Sequence, residues 1–457
     1  MGANTSSGLD LLQAGSTPAL RPGLSGVPQP ISRNYAALAQ QLMAAGLSDP
    51  WVDGKPRFGR EPVRLSPAQV NELVTAAELF AAAMDHTLRM LAKDPAAMAD
   101  LHLTPYQEML WQTSAGRWHG IARADAFFCP DGVRICEVNC DTPSGQPEAV
   151  ILGQLAAADA PEAIDPNRFL LDRYAALLQA TAPADRKGQP LSVGILYPTE
   201  LTEDLAMVEL YTRDLTARGW QVVHGSPFNL HLGADGRAAL WGQPCDVLIR
   251  HYKTDWWTER QPVWQRDEPF ADSAPLDGPL AILLAAQLQG RTTVVNPMGA
   301  VVPQNKRFLA SMWQMQTQLP AELAQAVQRY LPETKGLDHC DLEVIRAQRQ
   351  RWVLKSDYGA EGSEVVVGAE VSQADWLNYV DSAKPTRFVV QAHFDAQRTA
   401  GMQTNFGVFL VAGRGAGLYA RHSVQATDPG ACSVAVLVER SAGANAVKVA
   451  QSGEVAA

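Results

Sequence analysis

Two short β-prone runs carry polar groups at alternate positions. ARADAFFC spans 122–129 and VRICEVN spans 133–139. Arg123, Asp125 and Phe127 alternate along the first run, and Glu137 and Asn139 along the second. Strand side chains repeat every two residues, so each set lines one face. Pro130-Asp131-Gly132 between the runs reads as a turn. A three-residue turn pairs Cys129 with Val133, which sets Asp125 opposite Glu137 and Arg123 opposite Asn139. Any odd turn length centred there keeps this register, and an even one breaks it. Two opposed carboxylates repel and need a cation between them. One answer is Mg²⁺ held by Asp125, Glu137 and the amide oxygen of Asn139, an all-oxygen donor set that suits that ion. The other is a surface hairpin in which Arg123 neutralises the acids. Asp141-Thr142-Pro143-Ser144-Gly145 follows as a polar turn lining the same cleft, with Asp141 and Ser144 as candidates to face a substrate.

A second group lies far along the chain. Trp352-Val353-Leu354-Lys355 reads as a strand ending in a lysine, followed by a loop with Gly359, Gly362 and Ser363, then a strand at 364–367. Strand, glycine loop, strand is a layout for a flap whose backbone N–H groups cover phosphates. It is neither a Walker A loop nor a dinucleotide loop, since no GxxxxGK[ST] occurs and no helix follows. Upstream, Asn296-Pro297-Met298-Gly299 leads into a helix with Asn305, Lys306 and Arg307. Lys306 alone reads as a solvated lysine or as a phosphate contact. Gln391 lies in the strand-like FVVQAH, and Arg421 closes a strand at 417–422. Cys129, Cys136 and Cys140 match no common zinc spacing and read as packing residues.

These groups need a scaffold. The chain has 457 residues, 38 Lys plus Arg against 48 Asp plus Glu, and a net charge of −10. That balance argues against wrapping nucleic acid, which needs a basic face, but local cations can still seat a small polyanion. Apolar residues are 46%, enough for a sizeable core. The most apolar stretch, 279–290, is too short to span a membrane. MGANTSSGLDLLQAG lacks the charged and apolar regions of a secretory signal, and its match to a myristoylation pattern has no polybasic partner. Six cysteines in so long a chain read as reduced thiols in the cytoplasm. Residues 1–30 and 441–457 read as mobile tails. Residues 31–120 read as a helical region, with a capping box at Ser66-Pro67-Ala68-Gln69 and an apolar stripe from Val70 to Leu91. LSVGILY at 191–197, a helix over 203–218 and the later runs QVV and DVLIR predict a small parallel sheet. Residues 303–350 read as helical, and the chain is strand-rich from 351. The loop 254–278 mixes acids with Trp256, Trp257, Trp264 and Phe270, which suits a solvated loop or an amine contact.

R-x-D, E-x-N-x-D-T-P-S-G, a lysine-bearing helix and V-L-K with a glycine loop together resemble the ATP-grasp ligases. The resemblance is to the glutathionylspermidine synthetase-like branch and covers about 117–148 and 296–423. The acids precede the lysines, which matches that branch's circularly permuted order. It implies an α+β / α/β fold: a permuted ATP-grasp domain over 121–190 and 297–440, an α/β pre-ATP-grasp-like domain over 191–296, and an N-terminal helical region. It implies ATP and Mg²⁺, with Asp125, Glu137 and Asn139 on the metal. Arg123 and Arg421 would act on the reacting carboxylate and transferred phosphate. Lys306, Lys355, Gly359, Gly362 and Ser363 would hold phosphates, and Gln391 would lie near adenine. The implied activity joins a peptide-like carboxylate to an amine through an acyl phosphate, without the amidase domain of some relatives. The alternatives are an ATP-binding regulatory protein without turnover, or a metal-dependent hydrolase, for which no His-rich motif is present. No nucleic-acid or membrane partner is implied, and the sequence specifies no oligomeric state.

Overall fold

The computed structural model describes residues 34–199, 202–259, 276–359, 365–426 and 430–440. Gly362, Ser363, both expected tails and most of the loop 254–278 lie outside the described residues.

The longest helix, Pro67–Leu91, starts as the sequence dictates. Ser66 caps Gln69, Gln69 answers on the Ser66 backbone, and Pro67 occupies the first helical turn. Its apolar stripe, Val70, Leu73, Val74, Ala77, Phe80, Ala81, Met84, Leu88 and Leu91, is buried. The stripe packs on a six-stranded antiparallel sheet. Five strands run in the order Cys432–Val434, Arg414–Ser423, Met402–Val411, Ile121–Cys129 and Gly132–Asn139, with Arg398–Thr399 beside Met402–Val411. The early hairpin thus completes a sheet whose other strands come from the last part of the chain. Ala122, Ala124, Ala126, Val133, Ile135 and Val138 share the core with the helix. Arg123, Asp125, Phe127, Glu137 and Asn139 point the other way, towards a cavity.

A second antiparallel sheet has the order Thr334–Gly336, Phe388–Ala392, Trp352–Ser356, Val365–Val367. Trp376 and Val380 of helix Gln373–Ser382 and Ile345 of helix Leu342–Ala347 cover one face of it. A third sheet is parallel: Thr293–Val295, Val247–Arg250, Ser192–Leu196, Gln221–Gly225. Helix Leu205–Ala217 makes the crossover between Ser192–Leu196 and Gln221–Gly225, as the β-α-β reading predicts.

Three readings need correction. Residues 303–350 are not all helical, because Thr334–Gly336 forms the edge of the second sheet. The strand-rich part after 351 is interrupted by helix Gln373–Ser382. Residues 31–120 include Val63–Leu65, which pairs in parallel with Val436–Val438. Three-residue strands carry too little alternation to announce themselves, and their partners lie far away in sequence.

Asn296, just after the parallel strand Thr293–Val295, ties that sheet to the hairpin. Its Oδ1 accepts from the N–H groups of Gly120 and Ile121 at 3.0 and 2.9 Å. Its Nδ2 donates to the carbonyls of Ile121, Cys140 and Asp141 at 2.8, 2.9 and 3.1 Å. One buried amide therefore satisfies both ends of the hairpin. No helix among the described residues is long and apolar enough to cross a membrane.

Candidate active site

Asp125 lies opposite Glu137 and Arg123 opposite Asn139. The expected register stands, but the route to it differs. The turn pairs Cys129 with Gly132, leaving only Pro130 and Asp131 between them, an even turn that alone would put the acids on opposite faces. A bulge intervenes: Ala126 pairs with Ile135 while Asp125 pairs with Glu137, so Cys136 is an extra residue. The bulge restores the parity that the turn removes. It also brings the Cys136 carbonyl within 3.3 Å of Lys355 Nζ.

The same rung runs on from Glu137 and Asp125 through Gly407 to Tyr419. Arg123 lies along it. Its Nε and Nη2 donate to the two Asp125 oxygens at 2.6 and 2.9 Å, and Nη1 donates to the Ser144 carbonyl at 2.8 Å. The guanidinium carbon sits 5.8 Å from the Tyr419 ring centre. A Cβ at residue 407 would lie 2.6 Å from Arg123 Cδ, so glycine there leaves the groove that the arginine fills. Gly407→Ala is expected to dislodge Arg123 from Asp125 and lower any ATP-dependent turnover by about tenfold or more. Unchanged turnover would show that Arg123 needs no such seat.

Three cations face the acids. Lys306 Nζ is 3.6 Å from Glu137 Oε2 and donates to the Gly359 carbonyl at 2.8 Å. Lys355 Nζ donates to Gln391 Oε1 at 2.7 Å. Lys306 is buried, not the solvated lysine of the alternative reading. Asn305 caps its helix, and the Lys306 N–H donates to the Asp357 carbonyl at 2.8 Å, anchoring the helix start to the loop after Lys355. Burial opposes ionisation of Glu137, but Lys306, Lys355 and Arg123 outweigh it and hold the carboxyl down to about 2. Burial also works against the charge on Arg123, yet Asp125, beside it, raises its pKa further. Glu137 is therefore ionised at neutral pH. Cys136 and Cys129 are pushed up by burial to about 12 and about 11, and Cys140 is raised well above its ordinary value, so none is a ready nucleophile. All six cysteines are unpaired.

Arg123, Asp125, Cys136, Glu137, Asn139, Lys355 and Gly359 line a cavity of about 710 Å³ between the three sheets, and Lys306 touches two of them, Glu137 and Gly359. On one side stand Phe127, Val353, Lys355, Val367, Gln391 and Phe394; on another, Arg57, Glu148, Asp204, His251 and Trp256. Arg421 lines it too, paired in register with Asn405, whose buried Oδ1 has no hydrogen-bond partner among the described residues. Ser144 is exposed at the rim. Two expected site residues have other engagements. Asp141 accepts from Arg250 Nη2 at 2.5 Å and from the N–H and hydroxyl of Thr254 at 2.7 and 2.6 Å, so its carboxylate holds a loop in place. Gln391 has one amide atom on Lys355 and the other on Thr334 Oγ1 at 3.0 Å, so it steadies a lysine. Trp257 of the acidic aromatic loop is fully buried core. Sequence reasoning missed Arg250, His251 and Tyr419. Arg250 was the findable one, because it ends a parallel strand, where ligand-facing groups collect.

For a metal, the donors are hard oxygens. Among the described residues no three His, Cys, Asp or Glu side chains converge, and the hairpin offers two carboxylates and one amide. Mg²⁺ commonly takes one or two carboxylates and completes its shell with water and phosphate. Asn139 Nδ2 now bridges the acids, 3.4 Å from Asp125 and 3.3 Å from Glu137, and a turn of the amide would present its oxygen instead. The residues fit that ion.

The sheets, and a cleft lined by paired acids and the buried Lys355, define a mixed α/β protein of the ATP-grasp type with a pre-ATP-grasp domain. The chain belongs to the glutathionylspermidine synthase pre-ATP-grasp family, whose model matches residues 49–438, a family of ATP-dependent ligase type. Among solved structures it is similar to a glutathione synthetase-like effector from Globodera pallida in its apo form. Identity is 12% over 88% of this chain and 97% of that one, with a TM-score of 0.52. A putative γ-glutamylcysteine synthetase from Methylobacillus flagellatus is 12% identical over 78% of this chain and 84% of its own, with a TM-score of 0.42. No curated protein matches the chain significantly.

Proposed function

We propose that this protein is an ATP-dependent ligase that joins a carboxylate to an amine through an acyl phosphate, releasing ADP and phosphate. The observation that carries the reading is that Asp125 and Glu137, on the wall of one cavity, are faced by Arg123, by Lys355 and by the buried Lys306. A carboxylate is a poor acylating agent, and phosphorylation makes it a good one. Phosphoryl transfer needs positioning and charge neutralisation more than covalent help, and these side chains are of that kind.

In this reading Asp125, Glu137 and Asn139 hold Mg²⁺, which would neutralise phosphate charge when bound. Lys306 and Lys355 hold the phosphates, with Gly359 at the start of the covering loop. The apolar side with Phe127, Val353 and Phe394 takes the base. Arg123 orients the reacting carboxylate, and Arg421 meets the transferred phosphate. Asp141 and Gln391 act at one remove, as the supports of a loop and of Lys355.

The test is Mg²⁺-dependent ADP release over a panel of carboxylates and amines that includes glutathione, γ-glutamylcysteine and spermidine. Release that needs both substrates and is lost in Asp125→Ala supports the ligase. ATP binding with no release for any pair would favour a regulatory protein, and absence of ATP binding by calorimetry would overturn both.

A further inference from the structure

Resting on the ligase reading, we propose that His251, held by Asp204, is the base that takes the proton from the attacking amine. Both residues line the cavity. His251 Nε2 and Asp204 Oδ1 are 2.8 Å apart. A carboxylate accepts only, so it keeps the proton on Nε2 and leaves the lone pair on Nδ1. Nδ1 has no hydrogen-bond partner among the described residues. The arrangement is an orienting acid, an imidazole and an open nitrogen towards a cavity.

The loop that carries His251 is fixed against the hairpin. Arg250 before it and Thr254 after it both bind Asp141, which lies two residues beyond Asn139. The His251 N–H also donates to the Leu196 carbonyl at 2.7 Å. Two parallel strands and the hairpin exit thus set its position. Lys253, Asp255 and the Glu148–Arg57 pair are the other charged groups lining this side. Asp125 and Glu137 face the lysines and Arg123, so neither is available as a base.

The step balances without a further reactant. An alkylamine arrives as an ammonium with a pKa of about 10 and must shed a proton to attack. One ammonium proton passes to Nδ1 and then to water, the C–N bond forms, the C–O bond to phosphate breaks with its electron pair on phosphate, and the second nitrogen proton leaves on the departing phosphate. Hydroxylamine is unprotonated at neutral pH and attacks acyl phosphates without a base.

The experiment compares wild type, His251→Gln and Asp204→Asn for ADP release over the same carboxylate panel, with spermidine or hydroxylamine as nucleophile. The expected result is a rise of about a hundredfold in the hydroxylamine-to-amine ratio for His251→Gln, and a smaller rise for Asp204→Asn. Equal loss with both nucleophiles, or no loss with either, overturns the assignment and leaves the ligase reading intact. If the wild type releases no ADP with any pair, the ligase reading falls and takes this assignment with it. Misfolding of His251→Gln, seen by circular dichroism, passes the decision to Asp204→Asn, whose unchanged ratio would overturn the proposal.

Discussion

Glu137→Gln is expected to reduce ATP-dependent turnover by about a thousandfold or more while the protein stays folded. The substitution keeps the shape and removes one charge. Two losses combine. The ion expected between Asp125 and Glu137 loses an anionic donor, and removal of a single preorganised electrostatic group typically costs about 10²–10³ in rate. Lys306, Lys355 and Arg123 are then left with Asp125 as the one carboxylate on this rung. Lys306 and Lys355 keep their carbonyl and amide partners, so the fold should survive. Because Glu137 is held down to about 2, ordinary acidification does not mimic the variant. Measured kcat, with circular dichroism as the folding control, decides. Turnover within tenfold of wild type would remove Glu137 from the site.

Lys355→Met should weaken ATP binding about a hundredfold, and Lys355→Arg should not restore it. The ammonium is gripped by Gln391 Oε1 and the Cys136 carbonyl, and its strand is central in its sheet, between Phe388–Ala392 and Val365–Val367. Methionine keeps the length and removes the charge. Arginine keeps the charge, but its wider planar fork does not fit a niche built for a compact ammonium. Calorimetric titration with ATP and Mg²⁺ reads both. Full rescue by arginine would mean that charge alone matters and that the Gln391 seat is incidental.

Much of the site was legible because it is local. Alternation along 122–129 and 133–139 needs only neighbouring residues, so which side chains share a face within each strand followed directly; that Asp125 and Glu137 share one across the hairpin rested on a turn length which the structure replaces by a shorter turn and a bulge. The capping box at Ser66 and the buried stripe behind it were equally local. Lys306 was ambiguous, because its burial comes from the loop after Lys355 and from Glu137, neither near it in sequence. From sequence Gln391 and Asp141 read as ligand contacts, since a polar side chain aimed at a cleft does not announce which protein group will reach it first.

By itself, then, the sequence determined which side chains could meet: paired acids on one hairpin, lysines after an Asn-capped turn and at a strand end, and a parallel sheet between them. Tertiary structure decided whether they do. The two-residue turn would have parted the acids, and the bulge at Cys136 brought them back. Strands from 402–434 completed the sheet begun at 121–139, and the turn after Asn139 clamped His251 beside the cavity. The physical reason is range. Periodicity and capping are set within a few residues, whereas sheet register and ion pairing depend on partners up to hundreds of residues away.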